Sequence, residues 1–223
     1  MGSTLPKQLL ELDGTTILER TVATLDAHPG LDRVLIMIAP GHESVAEEIA
    51  GRYAKVTDVR AGGATRNEST TRALELLPDD DTRILFHDAV RPLVSDAILA
   101  RCLEALEEAV AVDVAIPSAD TIIEVDDRST IRSIPPRAAL RRGQTPQGFH
   151  AGVLRRAYAA AAQDAAFTAT DDCGVVVRYC PDVAITVVDG EERNLKITEP
   201  LDLLVAEQLL RLDDDALRRR VRA

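Results

Sequence analysis

An α/β fold, with a mostly parallel sheet layered between helices and one projecting β-arm, follows from three features of the sequence. Short apolar, β-rich runs alternate with helical patterns, the signature of right-handed βαβ units. Between Asp120 and Thr145 that alternation gives way to a hairpin pattern. The chain has 223 residues, 46% of them hydrophobic, which suits one domain over residues 1–223 with a substantial core.

Taken in order, Val34 to Ala39 reads as a strand and Glu43 to Ala50 as a helix, then Val56 to Val59 as a strand and Glu68 to Leu77 as a helix. Ile84 to Phe86 is a short buried strand, followed by a helix over Ser95 to Ala109 for which Ser95 and Asp96 are start signals. Val112 to Ile116 is another buried strand. Thr121 to Val125 and Ile131 to Ile134 flank Asp126-Asp127-Arg128-Ser129 and read as a hairpin. Pro135-Pro136 forces an extended exit, because each proline restricts the residue before it. This arm, about 120–145, offers little apolar area of its own, and an isolated hairpin is marginal in water, so it needs a partner surface. Ala151 to Ala162 is helical by propensity. Asp172 to Tyr179 reads as a helix, Ile185 to Val188 as a strand, and Pro200 to Leu212 as a closing helix with proline near its first turn. Asp213-Asp214-Asp215 with Arg218-Arg219-Arg220 reads as a solvated helix end.

The formal net charge of −11 and a pI near 4.9 oppose non-specific binding to nucleic acid or an anionic membrane, so a polyanionic ligand must meet local positive charge. Lys7, Lys55 and Lys196 are the only lysines among 26 Lys+Arg. Cys102, Cys173 and Cys180 form no C-x-x-C, and His28, His42, His87 and His150 are dispersed without metal-ligand spacing. With no long apolar span and no signal-peptide pattern, the expectation is a reduced cytoplasmic protein.

The most informative segment is Phe86-His87-Asp88-Ala89-Val90-Arg91-Pro92. Where a buried strand emerges into a loop, Asp88 and Arg91 can hold a hard cation and a phosphate side by side, as nucleotidyl transfer requires. Taken alone, Asp88 capping a turn and Arg91 on a solvated loop would account for it equally well. The same chain also carries Pro6-Lys7-Gln8, a glycine turn Gly62-Gly63-Ala64-Thr65-Arg66-Asn67-Glu68-Ser69, Gly143-Gln144-Thr145-Pro146-Gln147, Thr170-Asp171-Asp172 and Asn194-Leu195-Lys196-Ile197-Thr198.

From Met1 to about Leu210 these ordered motifs resemble the methylerythritol phosphate and ribitol-5-phosphate cytidylyltransferases. The resemblance implies a Rossmann-like, three-layer nucleotidyltransferase fold, whose arm clasps a second subunit in a homodimer. It implies an enzyme joining CTP and a polyol phosphate into a CDP-polyol with release of diphosphate, using Mg²⁺. Such transfer relies on positioning and electrostatics, so cations matter more than a nucleophilic side chain. By resemblance Lys7 and Lys196 are catalytic charges and Asp88 holds Mg²⁺. Gly63, Ala64 and Ser69 read the cytosine, with Arg66 supporting their loop. Arg91, Thr121, Arg137, Thr145 and Thr170 surround the polyol phosphate. Many family members carry Asp in place of Ala64, a change that a backbone contact tolerates and a side-chain contact does not.

The chain departs from the family at its start. Relatives open with an apolar strand and a loop resembling Ala-Gly-x-Gly-x-Arg-Met-Gly, whose amides cradle the triphosphate. Met1-Gly2 coincides with the last two residues of that loop. The expectation is a natural protein that begins upstream, since a central strand's removal leaves its neighbours with unpaired backbone groups. Val90, Ile134-Pro135-Pro136-Arg137 and Gly143 before Gln144 lean toward ribitol 5-phosphate as substrate. Thr170-Asp171-Asp172 and Gly148-Phe149 suit 2-C-methyl-D-erythritol 4-phosphate of isoprenoid precursor synthesis, the alternative. A reading of another class is a non-catalytic dimeric homologue, favoured by the absent glycine loop and opposed by Lys7, Asp88, Arg91, Arg137 and Lys196.

Overall fold

Residues 5–164, 167 and 169–212 are described by the computed structural model. Met1-Gly2 and the Asp213–Arg220 tail read above lie outside them. The chain enters through a single 3₁₀ turn, Lys7–Leu9, and a tight hairpin of β1 (Glu11–Leu12) and β2 (Thr15–Thr16). Asp13 and Gly14 turn that hairpin with φ of 53° and 76°, the left-handed pair that an Asp-Gly turn supplies. Helix α1 (Ile17–Ala27) follows, its Thr16 cap accepting from the Glu19 N–H at 3.1 Å. Neither element was anticipated, although Asp-Gly and Thr-x-x-Glu are both legible signals.

The βα alternation is observed where periodicity placed it: β3 (Val34–Ile38), α2 (Glu43–Ala50), β4 (Val56–Ala61), α3 (Arg66–Glu75), β5 (Arg83–Phe86), α4 (Asp96–Ala105) and β6 (Ala111–Pro117). Thr65 and Ser95 cap α3 and α4 through their hydroxyls. The arm carries β7 (Glu124–Val125) and β8 (Ile131–Ser133), so its first strand is shorter than expected. β9 (Arg141–His150), α5 (Ala151–Ala161), α6 (Asp172–Tyr179), β10 (Thr186–Asp189) and α7 (Pro200–Arg211) complete the chain.

The sheet is more mixed than the sequence suggested. β3 and β4 pair in parallel as a separate ribbon, while a second sheet runs β10-β6-β9-β5. Within it β10 and β6 are parallel, but β9 lies antiparallel between β5 and β6. β9 escaped the sequence reading because glycine, proline and glutamine interrupt it. Its register against β6 jumps between Asp113 and Ala115, and Pro146, which has no N–H to donate, falls in the bulge.

Apolar faces pack on both sides. Phe149, Leu154, Val175 and Val176 form one cluster, Ile98, Leu99, Val112 and Val114 another, and Leu18, Val22, Ile36 and Ile38 a third around α1 and β3. All three cysteines are buried free thiols, and burial pushes Cys102 up to about 12. By contrast, none of residues 119–143 is buried. The arm is also more apolar than expected: Ile122, Ile123, Val125, Ile131 and Ile134 are 44–57% exposed. Among the described residues no helix is long and apolar enough to cross a membrane.

Candidate active site

β5 ends at Phe86, and the next residues turn outward, so His87 and Asp88 stand at a sheet end beside β9. Thr145 of β9 locks this turn. The Arg91 carbonyl lies 3.1 Å from His87 Nε2 and can only accept, so Nε2 donates and Nδ1 of the neutral ring accepts. The Thr145 hydroxyl therefore donates to His87 Nδ1 at 3.0 Å and accepts the Asp88 N–H at 3.0 Å. Burial pulls the imidazole down to about 4, consistent with a neutral strut.

Three cations ring the Asp88 carboxylate, whose side chain is 14% exposed: Lys196 Nζ at 3.0 Å, Arg91 Nε at 3.5 Å and Arg66 Nη1 at 3.6 Å. Burial raises this carboxyl, yet Lys196, Arg66 and Arg91 outweigh burial and hold it below its ordinary value. It is ionised at neutral pH. Lys196 reaches it because the segment around it is stitched to the Asp88 turn: the Ile197 N–H bonds the Val90 carbonyl at 2.9 Å, and Arg91 Nη1 bonds the Asn194 carbonyl at 2.8 Å. Asn194 in turn bonds the Thr145 carbonyl at 2.8 Å and Gln144 Oε1 at 3.2 Å. Lys7 arrives on the same segment, donating to the Thr198 carbonyl.

The glycine turn is tied to this cluster by Arg66, which bonds Asp172 Oδ2 at 2.5 Å while facing Asp88. Asp172 is wholly buried and also accepts from Thr70 at 2.8 Å and Tyr158 at 2.6 Å. Paired and hydrogen-bonded, the buried charge is tolerable; removal of one partner would be costly. Ser69 accepts the Gly63 N–H at 2.9 Å and donates to the Thr65 carbonyl at 3.0 Å, and Glu68 accepts the Ala64 N–H at 2.9 Å. A Cβ on Gly63 would lie 2.0 Å from Glu68 Cβ, so this close approach admits only glycine.

The structure thus gathers Asp88, Arg91, Thr145 and Lys196 in one place, with Gly63, Ala64 and Ser69 joined to them through Arg66 and Lys7 held at the Thr198 carbonyl, two residues along the chain from Lys196. Arg91 and Thr145, expected against the polyol phosphate, also make internal contacts, Arg91 with the Asn194 carbonyl and Asp88, and Thr145 with His87 and Asp88. Thr170 is exposed at the entry to α6. Thr121 and Arg137 sit on the arm, where Arg137 donates to the Ala119 carbonyl at 3.1 Å; among the described residues no hydrogen bond or ion pair joins them to the cluster. Sequence reading missed His87 as a strut and Tyr158 and Thr70 as partners of Asp172, because these depend on contacts between distant segments. Among the described residues no group of three His, Cys, Asp or Glu is placed to bind a metal ion.

An α/β sheet that delivers one ionised carboxylate, a lysine and two arginines to a strand end beside a glycine turn, with a second lysine on the adjoining segment, has the equipment of a nucleotidyltransferase. Comparison with known proteins narrows the class. The family described as 2-C-methyl-D-erythritol 4-phosphate cytidylyltransferase (IspD) matches residues 1–212, and the chain belongs to it. It is 52% identical over 219 residues to the 2-C-methyl-D-erythritol 4-phosphate cytidylyltransferase of Thermobifida fusca, across 95% of this chain and 88% of that protein. It is 38% identical over 214 residues to the bifunctional ribulose 5-phosphate reductase/CDP-ribitol pyrophosphorylase of Haemophilus influenzae, across 94% of this chain and 45% of that one. Among solved structures, 4-diphosphocytidyl-2C-methyl-D-erythritol synthase of Anaerococcus prevotii superposes with a TM-score of 0.85 at 29% identity, covering 92% of this chain and 93% of that one. The Thermus thermophilus 2-C-methyl-D-erythritol 4-phosphate cytidylyltransferase superposes at 0.77 with 34% identity, covering 93% and 95%. The chain is a cytidylyltransferase.

Proposed function

We propose that this enzyme transfers the cytidylyl group of CTP to 2-C-methyl-D-erythritol 4-phosphate. The observation that carries this reading is the 52% identity to a protein of that name, against 38% to the CDP-ribitol enzyme. It displaces the lean toward ribitol 5-phosphate, which rested on a few positions such as Val90. A phosphate oxygen of the polyol phosphate attacks the α-phosphorus of CTP, the bond from that phosphorus to the bridging oxygen breaks, and diphosphate leaves. Lys7 and Lys196 neutralise the charge that accumulates on the transferring and leaving phosphates. Gly63, Ala64 and Ser69 shape the cytosine loop, and Arg66 holds it in register with Asp88. Arg91 and Thr145 act by fixing Asp88, while Thr170 borders the polyol phosphate.

Mg²⁺ fits this donor set: a single ionised carboxylate suits an ion that keeps most of its ligands as water and substrate phosphate oxygens. Asp88 would hold it, and when bound it would supply charge neutralisation on the triphosphate. The exposed apolar residues of the arm support a homodimer in which each arm packs on the other subunit and brings Thr121 and Arg137 to the neighbouring site. The enzyme works in the cytoplasm, where CTP is at hand. Purified enzyme assayed with CTP, Mg²⁺ and each polyol phosphate tests the substrate: kcat/KM should favour the methylerythritol phosphate by roughly tenfold or more. Equal or greater activity with ribitol 5-phosphate would reverse the assignment.

A further inference from the structure

Gln147 is 2% exposed in the middle of β9, where it pairs with Phe86 of β5 on one side and Asp113 of β6 on the other. Phe149, two residues on and on the same face of the strand, belongs to the apolar cluster under α5 and α6. A buried amide in such a place is costly unless its polar atoms find partners, and leucine or methionine would fill the volume without that demand. Both ends of the amide are used. Its Oε1 accepts the N–H groups of Asp172 at 3.0 Å and Cys173 at 3.4 Å, and its Nε2 donates to Asp113 Oδ1 at 3.0 Å and Asp171 Oδ2 at 3.3 Å. Asp171 meanwhile caps α6 by accepting the Gly174 N–H at 2.7 Å. Three N–H groups in the first turn of α6 are therefore fixed, two of them by the sheet and one by the helix's own cap.

What that turn carries gives the contact a role. Asp172 holds Arg66 at 2.5 Å, and Arg66, the first residue of α3, also lies 3.6 Å from Asp88. Thr70, one turn further along α3, bonds the same Asp172 carboxylate at 2.8 Å. Two residues before Gln147 on β9, the Thr145 hydroxyl accepts the Asp88 N–H. One strand thus fixes Asp88 through residue 145 and the glycine turn through residue 147. We propose that Gln147 is a positioning residue for cytidylyl transfer: it docks the start of α6 on β9 and, through Asp172 and Arg66, holds the glycine turn in register with the Asp88 carboxylate. A neutral amide suits the place, since it accepts from helix N–H groups at one atom and donates to two carboxylates at the other. An ionised carboxylate there would instead face Asp113 and Asp171 with like charge. This role rests on the reading that the glycine turn meets CTP, and it is indifferent to which polyol phosphate is used.

Kinetics of Gln147→Met and Gln147→Glu test it, with CTP and whichever polyol phosphate the parent turns over faster, and with rates expressed per folded molecule from circular dichroism. Gln147→Met should lower kcat/KM for CTP at least ~30-fold while KM for the polyol phosphate stays within about threefold, because a misplacement of ~1 Å can cost ~100-fold in rate. Glutamate at this position supplies the amide's donor and acceptor only when protonated. Asp113 of β6 and Asp171 at the start of α6 face it, the Cys173 thiol lies against Asp113, and the Asp172 carboxylate turns to Arg66, so burial and like charge raise its pKa. Activity of Gln147→Glu relative to the parent should therefore rise at least ~10-fold from about pH 8.5 to about pH 5.5, while that of Gln147→Met stays level. A role in stability alone would lower the folded fraction and leave both rates per folded molecule unchanged. Kinetics of folded Gln147→Met within threefold of the parent, or a Gln147→Glu ratio that does not move with pH, overturns the proposal. The route is read by combining Gln147→Met with Asp172→Asn: losses that fail to add support transmission through Asp172, and additive losses overturn it. Gly63→Ala separates the two readings. An unchanged KM for CTP in that variant sinks the assignment of the glycine turn to CTP, whereas a raised KM there beside a normal Gln147→Met enzyme sinks the role of Gln147 alone.

Discussion

Thr145→Val removes one hydroxyl while keeping the shape of the side chain, and the structure places that hydroxyl between two part-buried groups. It accepts the Asp88 N–H and donates to His87 Nδ1, each at 3.0 Å. Valine leaves both without a partner, and an orphaned buried polar group costs about 1–3 kcal/mol. The sum, roughly 2–6 kcal/mol as an upper range for fully buried groups, is a large part of the ~5–15 kcal/mol that holds a typical domain folded. Urea unfolding should show a loss of that size for Thr145→Val, and about 1 kcal/mol or less for Thr145→Ser, which keeps the hydroxyl and gives up a methyl group. Steady-state kinetics should show kcat lowered at least ~10-fold, because Asp88 loses its anchor, with KM for the polyol phosphate within about threefold. A valine variant within about 0.5 kcal/mol of the parent whose KM rises tenfold at unchanged kcat would refute the positioning role and make Thr145 a direct phosphate ligand.

Asp88→Asn should abolish Mg²⁺-dependent turnover with the fold retained by circular dichroism; near-normal activity at saturating Mg²⁺ would remove Asp88 from the site. Gly63→Ala, whose Cβ would collide with Glu68, should raise KM for CTP with little change in that for the polyol phosphate, as read by diphosphate release. Asp202 takes the N–H groups of Glu199 at 2.7 Å and Thr198 at 2.8 Å, and the first of these leads the causes that hold its carboxyl below 3.8. Asp202→Ala should cost about 0.5–2 kcal/mol at pH 7. Because the folded pKa is depressed, that difference is full above about pH 4 and shrinks as pH falls through the folded value; a pH-independent difference in urea unfolding would contradict it. Arg137→Ala and Lys196→Ala proteins, each nearly inactive, should regain activity when mixed, and verified heterodimers that stay inactive would show that both residues serve one chain's site.

How much of this was legible in the sequence follows from what is local. The βα order, the Ser95 cap, the arm and the Phe86–Pro92 junction rest on periodicity, capping and turn chemistry, which short segments encode. Ordered motifs were enough to point to a cytidylyltransferase, because several short segments in one order resemble that family, and the family match bears it out. Substrate preference was less legible, since the lean toward ribitol 5-phosphate rested on a few positions such as Val90, and whole-chain identity favours the alternative. Only the tertiary structure decided the rest. β9 is a strand because β5 and β6 close on either side of it, against a local sequence containing Gly143, Pro146 and Gly148. Thr145 and Arg91 read as phosphate contacts, and the fold adds His87, Asp88 and Asn194 as their partners. Asp172 is a buried anchor because Arg66, Thr70 and Tyr158 converge on it from 106, 102 and 14 residues away. A hydroxyl or carboxylate takes its role from the groups packed against it, and over such separations those partners are set by the fold alone.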